Sequence, residues 1–127
     1  MLKGIDPRLG PDLLHCMKAM GHGDTLAIVD GNYPATTDAR RLIRADGHSS
    51  IDMLNAISTL MPIEGAIIPA SADVLIPELT KPLVDTPIER LEGAEFYARV
   101  QQAFAIVATS DERFHSNLVL TKGALGY

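Results

Sequence analysis

The chain has 127 residues, 46% hydrophobic and 21% charged, with a net charge of −5 at neutral pH. That length and composition suit one globular domain over 1–127 with a core of its own, and they argue against a disordered chain. With 11 Lys+Arg against 16 Asp+Glu and no basic cluster, nucleic acid and anionic membrane are poor partners.

The N-terminal residues carry no apolar run of signal-peptide length, and no segment approaches the roughly 18 apolar residues of a membrane span. A soluble, cytoplasmic protein is the expectation. Gly10-Pro11 opens a first helix, with proline where its missing N–H costs nothing. Leu13, Cys16, Met17 and Met20 recur at helical spacing, and Gly21 is expected to end the helix with a positive φ. Cys16 is the only cysteine; among apolar neighbours it reads as a small buried hydrophobe, and the lack of a disulfide partner fits a reducing compartment. Thr25–Val29 is a short, nearly continuous apolar run, as expected of a strand covered on both faces. Asp30-Gly31-Asn32 ends it in turn residues.

Leu42-Ile43 predicts a short strand before Arg44-Ala-Asp-Gly47. A second helix follows from about Ser50, capped by Ser49 or Ser50, with Ile51, Leu54, Ile57 and Leu60-Met61 as its apolar face and Pro62 as its stop. Ala66–Pro69 predicts a strand near a sheet edge, because of its proline. From 71 to 93 the pattern dissolves into a loop-rich stretch with three prolines, the kind of connection that serves as a lid or a subunit contact. A third helix runs from Ala94 to about Gln102 and leads into a strand at Phe104–Thr109. The last strand is Asn117–Thr121. Helices alternating with buried strands predict an α/β fold, three layers deep, with a mostly parallel central sheet.

The polar residues that could carry chemistry sit at strand ends or at turns feeding strands. His22 lies in Gly-His-Gly-Asp, a turn that needs only its glycines. Read alone, it is either a surface histidine in a flexible connection or an imidazole presented to exchange protons near neutral pH. Asp30 is either an Asx-turn residue or an acceptor for a ligand's hydroxyl groups. Arg44 with Asp46 reads first as a surface ion pair. His115 and Asn117 would share one side of an extended strand. Asp24 has no assigned role beyond the turn. No phosphate loop, nucleophile elbow or His-Glu-x-x-His metal motif is present, although a dispersed metal site from His22, Asp24, Asp30 and His115 stays open.

Three segments in register carry a resemblance: MLKGIDPRLGPDLLHCMKAMGHGDTLAIVDGNYPA, then RLIRADG, then EFYARVQQAFAIVATSDERFHSNLVLTKG. Together they are similar to the L-fucose mutarotase / D-ribose pyranase family, closer to its fucose branch, over nearly the whole chain except about 71–93. The resemblance implies a cofactor-free isomerase, with no metal, that interconverts the α and β anomers of L-fucose or a related monosaccharide such as ribose or galactose. His22 matches the family's proton donor and Asp30 a substrate-binding aspartate. His115-Ser116-Asn117 stands where the family has Tyr-Gly-Asn or Tyr-Ala-Asn, so Asn117 is kept while His115 replaces a tyrosine. A family arginine shortly before Phe96-Tyr97 has no counterpart in Leu91-Glu-Gly-Ala94; Arg90 lies nearby. Tyr33 and Phe96 or Tyr97 could line an apolar sugar face, although packing is the first reading of Phe96. The resemblance further implies a homodecamer or homo-octamer whose active sites are completed between neighbouring subunits. The alternative from a different class is a non-catalytic monosaccharide-binding module of the same fold.

Overall fold

A computed structural model describes residues 1–126. Helix α1 (Pro11–Ala19) begins with its proline in the first turn and buries Leu13, Cys16 and Met17. The left-handed residue after it is Gly23, with φ of 89°, and not Gly21: Met20 ends the helix in an extended conformation, so the chain turns two residues later than the glycine pattern suggests. Strand β1 (Thr25–Val29) follows, then a single helical turn, α2 (Ala35–Asp38), and strand β2 (Leu42–Ala45).

Helix α3 (Ser50–Ser58) starts at a reciprocal cap, in which Ser49 accepts from the Asp52 N–H and Asp52 from the Ser49 N–H. It ends four residues short of Pro62. Strand β3 (Ile63–Pro69) is longer than its apolar core. The proline-rich stretch is ordered: a 3-10 turn (Asp73–Leu75), a short helix α4 (Ile76–Leu79) and strand β4 (Ile88–Leu91). Helix α5 (Gly93–Gln102) and strands β5 (Ala105–Thr109) and β6 (Leu118–Lys122) complete the chain's elements.

The six strands form one sheet in the order β2-β5-β1-β6-β3-β4. β2, β5 and β1 pair in parallel, as do β3 and β4, while β6 runs antiparallel to both β1 and β3. Five strands therefore point one way and β6 alone the other. β3 lies next to the sheet edge, as expected from Pro69, with only β4 outside it. The proline is tolerated because it is the strand's last residue, and β4 covers that flank.

Side chains alternate across the sheet, as the two-residue period of a strand requires. Leu26, Ile28, Val107, Leu118 and Leu120 pack with α1, α3 and Leu75 and Leu79 on one face. Ala27, Val29, Ile106, Ala108 and Val119 pack with Phe96 and Val100 of α5 on the other. The result is three layers, helices on both faces of a mostly parallel sheet. No helix among the described residues is long and apolar enough to cross a membrane.

Candidate active site

The sheet has two ends, and its polar residues divide between them. At the C-terminal end of β1 lies a cleft of about 470 Å³ lined by Asp30, Tyr33, Asp38, Tyr97, His115 and Asn117 among others. Asp30 is buried where β1 ends. Its Oδ1 accepts from the N–H groups of Asn32 and Tyr33, both at 3.0 Å, the Asx-turn arrangement that Asp-Gly-Asn suggests. Its Oδ2 accepts from no protein donor among the described residues and is not sealed away, so it faces the cleft with free acceptor capacity.

Asn117 precedes β6 and is also buried. Its Oδ1 accepts from the Asp30 N–H at 2.7 Å, which ties the start of β6 to the end of β1 and leaves the Asn117 amide NH₂ for the cleft. His115 lies on the same cleft but not on an extended strand. It takes φ of 61°, a left-handed turn that exposes its ring. One wall is aromatic: the Tyr33 and Tyr97 rings lie 5.8 Å apart. Tyr33 donates its hydroxyl proton to Asp38 at 2.7 Å, and burial together with that carboxylate raises its pKa, so it stays a protonated phenol. Carboxylate acceptors, amide donors and an aromatic face, with no lysine or arginine in the lining, suit a neutral polyhydroxylated ring.

A buried network holds the loop that presents His115 and Asn117. The carboxylate of Asp111 accepts from Ser50 N–H at 3.0 Å, from Ser116 Oγ at 2.9 Å and from Arg113. Arg113 also pairs with Glu78 of α4. Burial works against the Asp111 charge, but the Arg113 guanidinium and these donors outweigh it and hold the carboxyl at about 2. Gly31 fits closely here: its N–H donates to the Asp111 carbonyl, and a Cβ would stand 3.2 Å from that oxygen, tighter than an ordinary contact.

A smaller recess of about 80 Å³ opens off the cleft between Asn117, Tyr97, Ser71, Glu92 and Gly93. It occupies the stretch Leu91–Ala94 where the expected arginine is missing. Arg90 does not replace it, because its guanidinium is bound to Asp73 at 2.8 Å and leans on the Ala70 carbonyl. Arg44 and Asp46 form the exposed ion pair read from their spacing, 2.7 Å apart.

His22 is elsewhere. It sits in the turn that enters β1, and β1 alone spans roughly 17 Å at about 3.3 Å per residue, so His22 and Asp30 lie at opposite ends of the sheet. That separation also rules out one metal site within a subunit built from His22, Asp24, Asp30 and His115. The turn is tightly built. Asp24 accepts from the Gly21 N–H at 2.8 Å, Gly23 donates to the Lys122 carbonyl at 2.9 Å, and the His22 ring bonds Glu64 of β3 at 2.8 Å. Beside it runs an apolar groove of about 590 Å³ between α1, Leu60-Met61-Pro62 and the segment after β6, lined in part by exposed Leu2, Leu60 and Leu125.

Sequence reasoning missed Asp38, Gln101 and Glu64. Asp38 had a faint signal, a carboxylate five residues after Tyr33 in a helical turn; Glu64 had only its polarity inside an otherwise apolar strand.

The profile of the RbsD / FucU transport protein family matches residues 3–125. The chain belongs to that family. Among similar members, human fucose mutarotase is 33% identical over 98% of this chain and 94% of its own length. L-fucose mutarotase of Histophilus somni is 33% identical over 97% of this chain and 96% of its own. The crystal structure of the Streptococcus pneumoniae fucose mutarotase, in complex with L-fucose, superposes with a TM-score of 0.90 at 32% identity, covering 98% of this chain and all of that one. As a member of this family the chain shares its α/β fold, and the similarity runs through both ends of β1.

Proposed function

We propose that the protein is a mutarotase: a cofactor-free isomerase, one domain over its length and acting in the cytoplasm, that interconverts the α and β anomers of L-fucose or a closely related sugar. The observation that carries this reading is the cleft in which the free edge of Asp30 and the amide of Asn117 converge beside the Tyr33–Tyr97 wall. Relatives named fucose mutarotase, and one structure with L-fucose bound, support it at about a third of identical residues.

Asp30 accepts from sugar hydroxyls, Asn117 donates to a sugar oxygen, and His115 contributes a polar contact at the rim. His22 supplies the proton. As the C1–O5 bond breaks, an imidazolium gives its proton to O5 while the O1–H proton passes to water, and the aldehyde forms. Rotation about C1–C2 and the reverse transfers close the ring on its other face. Mutarotation proceeds unaided in water, so the barrier to be lowered is modest and a sparse site suffices.

Because His22 and Asp30 cannot meet within one subunit, the proposal requires that the His22 end of one copy close on the cleft of a neighbour. The exposed Leu2, Leu60 and Leu125 of the groove beside His22 support such a contact, because covering these side chains removes apolar surface from water. A ring of ten or eight copies would satisfy every subunit in the same way. A subunit alone would keep the binding cleft without its proton donor, which is the sense in which the binding-module alternative survives.

Saturation-transfer NMR on anomeric protons tests the reading across L-fucose, galactose and ribose. Exchange accelerated for at least one sugar, most for L-fucose, is expected. Exchange no faster than in buffer for all three would refute the enzyme.

A further inference from the structure

The His22 ring does not hang free from its turn. Its Nε2 lies 2.8 Å from Oε2 of Glu64, forty-two residues away in sequence and on a different strand. Both side chains are about half exposed, 60% and 48%, so the pair adds little to stability. Its geometry has a sharper consequence. A carboxylate can only accept a hydrogen bond, so Nε2 must carry the hydrogen in the neutral ring, which makes Nδ1 the basic nitrogen. No protein group among the described residues bonds Nδ1.

The backbone around the pair restricts the ring further. Gly23 is left-handed and bonded to the Lys122 carbonyl, and Asp24 closes the turn on the Gly21 N–H. Gly123, just beyond Lys122, packs with its α-carbon hydrogens toward Glu64: a Cβ there would meet the Glu64 Cβ at 3.5 Å. Glu64 thus lies in β3 where its pairing with β6 shifts register between Ile63 and Gly65, beside the end of β6 to which the turn is bonded.

We infer that Glu64 is the positioning residue of the proposed acid/base: it fixes the His22 tautomer and ring direction, so that Nδ1 is the atom that gives a proton to the sugar and takes it back. This rests on the mutarotase reading above. Glu64 touches no sugar in this account and acts only through His22. Its loss should therefore slow the catalysed step and leave sugar binding alone.

The test uses the full-length protein and its Glu64→Gln and Glu64→Asp variants. A glutamine can donate its NH₂ to Nε2, which stabilises the opposite tautomer, whereas aspartate keeps an acceptor at slightly shorter reach. Long-range ¹H–¹⁵N spectra above the ordinary histidine titration range report the tautomer directly. Anomer exchange with L-fucose reports rate and affinity, and light scattering reports assembly. Expected are an Nε2–H ring in the wild type, a shift toward Nδ1–H in Glu64→Gln, and exchange at saturating sugar about tenfold slower. Apparent sugar affinity should stay within about twofold, and Glu64→Asp should recover part of the rate.

A wild-type ring with Nδ1–H would overturn the inference. So would full activity in Glu64→Gln, or a loss that follows affinity or assembly instead of the rate. If the wild type accelerates no anomer exchange, the mutarotase reading fails and the inference, which names a role in that reaction, falls with it; the tautomer spectra then still show whether Glu64 sets the ring.

Discussion

His22 and Asp30 carry different parts of the proposed reaction, and their substitution should separate them. His22→Ala removes the proton donor without touching the cleft, so catalysed anomer exchange should fall about 100-fold or more while sugar binding, followed by ligand-observed NMR, persists. Asp30→Ala removes a charged acceptor and the Asx turn that shapes the cleft. It should weaken sugar affinity about tenfold or more, the loss expected for a hydrogen bond to a charged group. Gly23→Ala tests the turn itself. A Cβ there meets nothing within 4 Å, so the penalty is the left-handed backbone alone, about 1 kcal/mol in thermal or denaturant unfolding. In the turn around His22, the second glycine supplies the conformation that the first was expected to supply, and the acid after it closes the turn.

Among the elements, the loop from Thr109 to Asn117 brings Phe114, His115 and Asn117 to the cleft, and its anchor is Asp111. The folded-state carboxyl of Asp111 lies at about 2, below the ordinary value of 3.8, so its ionised form is favoured by folding. A depressed carboxylate contributes stability above the unfolded pKa and loses it as pH falls toward the folded one. This contribution should be constant above about pH 4 and disappear between about pH 4 and 2. Asp6, held near 2 by Arg8, titrates in the same window. Thermal unfolding of Asp111→Asn against the wild type checks the assignment. The variant should be about 2 to 3 kcal/mol less stable at neutral pH, and its midpoint should fall less steeply below pH 4.

Elements with strong periodicity were legible: Thr25–Val29 was read to the residue because both its faces are covered and all but its first residue are apolar. β4 was not, since Ile88-Glu-Arg-Leu is an exposed edge strand that follows three prolines and alternates nothing apolar with anything polar. The single turn α2 was too short to show a period.

Taken as a whole, the chain separates its proposed acid/base from its binding cleft by the length of a strand. Strand order in space is what sequence could not supply. Asp30 follows His22 by eight residues, which looks like proximity until β1 is extended between them, and Asn117 reaches Asp30 only because β6 reverses direction beside β1. The family segments pointed to His22, Asp30, His115 and Asn117, but not to which of these share one surface. Glu64 was invisible because nothing in the sequence pairs residues across forty-two positions.

The most direct test of a site shared between subunits is complementation. Co-expressed His22→Ala and Asp30→Ala subunits, each about tenfold or more impaired alone at sub-saturating sugar, can form joints in which an intact His22 meets an intact Asp30. Random mixing in equal amounts makes about a quarter of the joints complete, so anomer exchange should return to about a quarter of the wild-type rate per subunit. Mixed assemblies as impaired as their parents would contradict a site built from two copies.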